Sequence, residues 1–230
     1  MTSHRLAVAL IASVAAAPAR AEVPATALDL IWVTPSAAGG ATLDCARLLA
    51  LEVPLDWLPG DAAAVMLSNG PEDETAAARL NAALLAEETA VLHVVFGRAG
   101  GIGNCAAAAP GPVAEVLGAL EALKLQVNAG VVVAIGLGAA GSAALEAVEP
   151  GVTARHLGED GPRLAAAIAL DGERRAVFRA GLRPAVREGW AARVPYLCAA
   201  LAPLAGPGGA EACVAELQGE TPVASLRPRR

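Results

Sequence analysis

The chain has 230 residues, of which 55% are hydrophobic and 3% aromatic, and its formal net charge is −6. That acidic balance, with no basic cluster before the terminal Arg227-Pro228-Arg229-Arg230, argues against nucleic acid and anionic membrane surfaces as partners. The scarcity of aromatics argues against stacking platforms for bases or sugars.

Residues 1–21 read as a secretory signal peptide. They have a basic start at His4 and Arg5, an apolar run from Leu6 to Ala17, and Ala19-Arg20-Ala21 as an A-x-A cleavage pattern. The run is too short to span a bilayer, so the expected location is secreted or periplasmic, with no membrane span once the signal is removed. Residues 22–217 suit one domain with a full core, and residues 218–230 read as a tail. Four cysteines in an exported chain suggest two disulfides. Cys198 and Cys213 are close in sequence and Cys45 and Cys105 remain, which favours that pairing among the three connectivities.

Along the chain, strands and helices alternate. Leu28–Thr34 reads as a strand, and Ala63–Gly70 as an apolar strand ending in a turn. Pro71–Glu88 reads as a helix, with proline near its start, acids in its first turn and a stripe of Leu80, Leu84 and Leu85. Thr89–Phe96 is the next strand, followed by a Gly/Ala-rich loop to Gly111 and a helix over Pro112–Gln126. Val131–Ile135 is a β-branched strand that meets a glycine turn and a helix of small residues. Leu164–Gly172 reads as a buried strand, Arg174–Ala192 as a polar mixed segment broken at Pro184, Val194–Leu201 as the last strand, and Ala210–Leu217 as a short helix. Continuous apolar strands alternating with helices predict an α/β fold: a doubly wound, mostly parallel sheet covered on both faces, in three layers.

The bend at Gly136–Gly141 supports three readings. Val127–Leu145 carries no charge over nearly the length of a membrane span, but its glycines, Asn128 and Ser142 suit a buried strand and a close-packed helix start better. Gly136-Leu137-Gly138-Ala139-Ala140-Gly141 also satisfies G-x-G-x-x-G. Glu159 and Asp160 then follow a possible strand at Val152–Leu157, as a ribose-binding acid would in a nucleotide-binding oxidoreductase.

The third reading uses more of the chain. Gly136-Leu137-Gly138-Ala139-Ala140-Gly141-Ser142-Ala143-Ala144-Leu145 resembles G-x-S-x-G-G-x-A-A-L, the nucleophile elbow of α/β-hydrolases. Ala64–Phe96 resembles the strand, glycine turn, helix and strand that precede it there, with Asn69-Gly70 in place of His-Gly. The likeness is to the α/β-hydrolase superfamily, nearest its dienelactone-hydrolase-like members, over roughly Leu28–Leu201. Cys45–Trp57 is also similar to the start of secreted tripeptidyl-aminopeptidase-type hydrolases.

The resemblance implies a serine at the elbow, a histidine base, an orienting acid and backbone N–H groups for an oxyanion. The chain departs from it. Gly138 stands where the serine belongs and Ala140 where the second glycine belongs. Beyond residue 21 only His93 and His156 remain, neither near the end of the chain, and Asp171 ends its strand one step early for the acid. Ser68 and Ser142 are the other hydroxyls near strand ends.

The backbone N–H of Ala139, with one near Asn69 or Gly70, could keep an oxyanion-like crevice for a small carboxylate or ester. The resulting expectation is an exported hydrolase-like protein that is noncatalytic or ligand-binding. The alternatives are an active serine esterase using Ser68 with His93 or His156, and an oxidoreductase using Gly136, Gly138 and Gly141. Cys105 as a nucleophile has no base placed by any motif. No H-E-x-x-H, C-x-x-C or histidine set points to a metal, and no cofactor is expected outside the oxidoreductase reading.

Overall fold

The computed structural model describes residues 25–40, 43–97, 101–108, 110–170, 174–205 and 208–218. The expected signal peptide, the C-terminal tail beyond Gln218 and Asp171 lie outside the described residues.

The elements run β1 (Thr26–Val33), β2 (Cys45–Pro54), β3 (Ala62–Ser68), α1 (Glu74–Ala86), β4 (Ala90–Val95), β5 (Ile102–Gly103), α2 (Cys105–Ala108) and α3 (Pro112–Leu125). They continue β6 (Val131–Leu137), α4 (Ala140–Ala147), α5 (Pro150–Leu157), β7 (Ala166–Leu170), β8 (Arg175–Phe178), α6 (Pro184–Ala205) and α7 (Gly209–Gln218). The sheet order is β1-β2-β4-β3-β6-β7-β8, with β5 paired to β2. The central strands β4, β3, β6 and β7 are parallel, and both edges are antiparallel. The edges follow from connectivity, since β1–β2 and β7–β8 are joined without a crossover helix and such neighbours pair antiparallel.

Helices cover both faces. One layer packs Ile31, Val65, Leu67, Leu92 and Val94 against Val116, Leu117, Leu120 and Leu123 of α3 and the small residues of α4. Gly118 lets α3 approach β1, because a Cβ there would lie 2.2 Å from the carbonyl oxygen of Thr34. The other layer packs Met66, Val91, Ile135 and Ile168 against Leu80 and Leu84 of α1 and Trp190, Val194, Leu197 and Leu201 of α6. This is a three-layer α/β sandwich with a tight strand-to-helix turn after β6. The chain 127–145 forms β6 and α4 inside it, and among the described residues no helix is long and apolar enough to cross a membrane.

Besides β2, which the sequence left unassigned, and β5 and α2, which lie in an expected loop, three segments differ from the sequence expectation. Val194–Leu201 is helical within α6, because Trp190, Val194, Leu197, Cys198 and Leu201 recur at helical spacing and bury one stripe on the sheet. Val152–Leu157 belongs to α5 rather than a strand, so the strand that the nucleotide reading needs before Asp160 is not there. Four residues of the polar segment after Glu173 form edge strand β8.

The disulfides join Cys45 with Cys105 and Cys198 with Cys213. The first ties β2 to α2, and the second ties α6 to α7.

Candidate functional site

In a doubly wound sheet, ligands gather outside the carboxyl ends of the strands where successive connections leave for opposite faces. Here β3 continues into α1 on one face and β6 into α4 on the other. The loops after β3 and β6 therefore flank the switch point, and they carry Asn69, Gly70, Gly138 and Ala139.

The turn after β6 is shaped by its glycines. A Cβ on Gly136 would lie 2.5 Å from both the carbonyl oxygen of Ala140 and the Cα of Gly141, so any side chain there would push the helix off the strand. Gly138 has φ +51°, in the left-handed region that glycine enters without strain. A Cβ on Gly138 would point at Asp73 and Asn69, 3.3 Å from Asp73 Oδ1 and 3.5 Å from the Asn69 amide. No histidine is among those nearest atoms. The elbow position faces an amide and a carboxylate.

These two residues border the elbow side of the crevice. With its oxygen turned to the helix, the Asn69 amide accepts the backbone N–H groups of Ala139 at 3.2 Å and Ala140 at 3.1 Å. The opposite orientation would gain a 3.3 Å bond from Nδ2 to the Leu137 carbonyl but would turn an NH2 group towards two donors. The first is favoured on electrostatic grounds, and it caps α4, whose first N–H groups lack intrahelical partners. The backbone N–H of Asn69 donates to Asp73 Oδ2 at 2.9 Å. The N–H groups of Ala139 and Asn69, both candidates for an oxyanion, are thus engaged within the chain. Sequence reasoning placed Asp73 only among the acids of a helix first turn; its distinguishing signal was its position four residues after Asn69.

A second cluster lies beside the first. Ser68 Oγ and His93 Nε2 are 2.8 Å apart, with the donor set by the histidine tautomer. Both residues belong to adjacent parallel strands, and the pairing of Met66 with His93 and Ser68 with Val95 puts them diagonally on one sheet face. Ser68 is 1% exposed, whereas His93 is half-buried. They line an open recess of about 500 Å3 with Asn69, Gly70, Glu74 and Phe96, so the recess adjoins the Asn69 crevice. The volume falls within the roughly 300–1,000 Å3 usual for small-molecule sites.

The remaining candidates lie elsewhere. His156 hydrogen-bonds through Nδ1 to the Ser36 carbonyl, and its own carbonyl accepts Ser36 Oγ at 3.1 Å, so it ties α5 to the loop after β1. It borders a separate recess with Glu121. Ser142 Oγ donates to the Ala139 carbonyl at 3.0 Å, an intrahelical contact. Cys105 is committed to its disulfide. Among the described residues no group of three His, Cys, Asp or Glu could hold a metal ion.

No protein-family model and no curated protein sequence matches the chain. Several solved structures share part of its layout. An esterase domain from Rhodothermus marinus is 21% identical over 51% of this chain and 46% of its own, with a TM-score of 0.36. Brefeldin A esterase, a bacterial homologue of human hormone-sensitive lipase, is 15% identical over 58% of this chain and 37% of its own, with a TM-score of 0.39. A lid-less α/β serine hydrolase from Xanthomonas campestris is 12% identical over 71% of this chain and 78% of its own, with a TM-score of 0.35. The chain spans under half the length of both esterases.

Proposed function

We propose that the chain is an exported α/β-hydrolase-like protein that has kept the elbow for its shape and performs no acyl transfer there. The observation that carries this reading is the occupancy of the crevice. Residue 138 contributes only hydrogen, and Asn69 and Asp73 engage the N–H groups of Ala139 and Asn69, two of the donors expected for an oxyanion. A tetrahedral intermediate needs donors aimed at an open position about 3 Å away, and here two of those donors already meet protein oxygen. Ligand binding, of a small carboxylate or ester, belongs to the open recess beside His93. Two disulfides agree with an oxidising compartment.

A second reading has one specific observation in its favour: the 2.8 Å contact of Ser68 with His93 has the reach of a nucleophile–base pair. Burial weighs against it, because attack requires a scissile carbonyl within about 3–3.5 Å of an oxygen that is almost wholly covered. Hydrolysis of short-chain aryl esters by the purified chain, by Ser68→Ala and by Gly138→Ser separates the two. The first reading expects background rates from all three. Turnover by the natural chain that disappears in Ser68→Ala would establish the second.

A further inference from the structure

At the opposite end of the sheet, where β6 and β7 begin, a small recess of about 140 Å3 is bordered by Lys124, Arg163, Arg179 and Arg183, and no carboxylate lines it. In a chain of net charge −6, four cations converging on one recess is an unusual concentration of like charge. None of the four takes part in the two ion pairs found among the described residues, Arg47–Glu115 and Arg174–Glu216.

The cations are held in place by the backbone. Lys124 Nζ donates to the carbonyls of Ala129 at 2.8 Å and Gly130 at 2.6 Å, which leaves one of its three N–H groups for another acceptor. The guanidinium of Arg163 is fixed by the carbonyls of Gly158, Glu159, Gly161 and Pro162. The backbone N–H of Arg179 donates to Ala165, anchoring it where β7 begins, yet its side-chain Nε is buried with no hydrogen-bond partner. Arg183 is exposed and opens α6, its carbonyl accepting the N–H groups of Val186 and Arg187. The first turn of this 22-residue helix therefore borders the recess and adds the positive end of its dipole.

Assembling these charges without a counterion is costly. Burial, and then the neighbouring Arg179 charge, hold the Lys124 ammonium below the usual lysine range. An anion in the recess would offset the repulsion that Arg179 exerts on Lys124.

We infer that this recess is a binding site for a phosphate dianion, free or as the terminal group of a phosphomonoester. It is far smaller than the roughly 300–1,000 Å3 of sites for drug-sized ligands, so only the anionic group enters. Arg179 and Arg183 suit a tetrahedral oxyanion because the planar guanidinium presents paired donors, while Arg163, whose terminal N–H groups are already engaged, adds charge. The site lies at the amino ends of β6 and β7, away from the elbow at their carboxyl ends, and does not depend on whether any esterase activity exists.

The test is calorimetric titration of the full chain at fixed ionic strength, with inorganic phosphate, glycerol phosphate and acetate as separate probes. One phosphate or one glycerol phosphate per chain is expected, bound at least tenfold more tightly than acetate. Arg179→Gln should weaken that binding about tenfold or more, in line with the loss of a charge-assisted hydrogen bond. Arg183→Ala, at an exposed position, should weaken it several-fold and keeps the test decisive if Arg179→Gln fails to fold. Tight binding of glycerol phosphate alone would identify a phosphomonoester as the source, and equal binding of both would identify the phosphoryl group itself. The inference is overturned if neither phosphate probe binds saturably, if acetate binds as well as phosphate, or if both variants bind as the natural chain does.

Discussion

Asn69→Ala removes the side chain that joins the loop after β3 to the start of α4. The natural amide oxygen serves two backbone donors, at 3.2 and 3.1 Å. Replacing a helix cap by alanine costs about 0.5–2 kcal/mol. Ala140 is 1% exposed, so water does not readily reach its N–H once the amide has gone. A buried donor left unsatisfied costs about 1–3 kcal/mol, which puts the expected loss near the upper end of the cap range, about 2 kcal/mol. Urea denaturation followed by far-UV circular dichroism, with both disulfides intact, measures it. The midpoint should fall with the slope unchanged, since the perturbation is local. Asn69→Asp keeps an acceptor but adds a carboxylate beside Asp73, so its stability should lie between those of the alanine variant and the natural chain. A loss below about 0.5 kcal/mol in Asn69→Ala would place it at the bottom of the cap range and refute the claim that this amide closes the crevice.

Gly138→Ser should destabilise the fold by about 1–2 kcal/mol, because a side chain enters the left-handed region facing Asp73, and thermal unfolding measures the loss. Buried Glu115 pairs with half-buried Arg47 at 2.9 Å; Arg47→Met should cost about 2–4 kcal/mol, at or below the range for fully buried pairs, whereas Arg47→Met with Glu115→Leu should recover most of it, as read by denaturant midpoints. Burial raises the Glu115 carboxyl pKa despite the opposing charge and hydrogen bonds of Arg47. The folded chain therefore holds that proton to higher pH than the unfolded chain. The stability contributed by Glu115 should fall as pH rises from the ordinary carboxylate value through the raised one, and Glu115→Gln should flatten that slope in a pH series of unfolding curves. Cys45→Ser with Cys105→Ser should cost about 4 kcal/mol and Cys198→Ser with Cys213→Ser about 3 kcal/mol, the difference following from sequence separations of 60 and 15 residues.

The parallel centre of the sheet was legible because β3, β4, β6 and β7 are continuous apolar runs, and because Pro71 and Pro112 mark helix starts. The glycine turn after β6 was legible for the same reason: Gly136 and Gly138 meet steric demands that hold whatever the function. Val194–Leu201 was read as a strand because an eight-residue apolar run has no decisive period of its own, and only Trp190 before it completes the helical stripe. Strand β8 is four residues flanked by arginines and owes its existence to pairing with β7. The role of Asn69 was hidden because its partners lie about 70 residues away in the chain; locally it reads as a turn residue. Ser68 and His93 meet through strand register, which no spacing in the sequence encodes. The four cations of the recess come from α3, the loop before β7, the residue after β8 and the residue before α6, and no local run of charge announces them.

The proposed reading requires that no hydroxyl among the described residues, Ser68 included, is an activated nucleophile. An alkyl fluorophosphonate tests it most directly, because the reagent traps such a serine whatever its natural substrate, and the intact mass of the chain reports the result. The account predicts an unmodified mass after prolonged exposure. A single stoichiometric adduct mapped to Ser68, and lost in His93→Ala, would contradict it and identify the serine–histidine pair as a working catalytic centre.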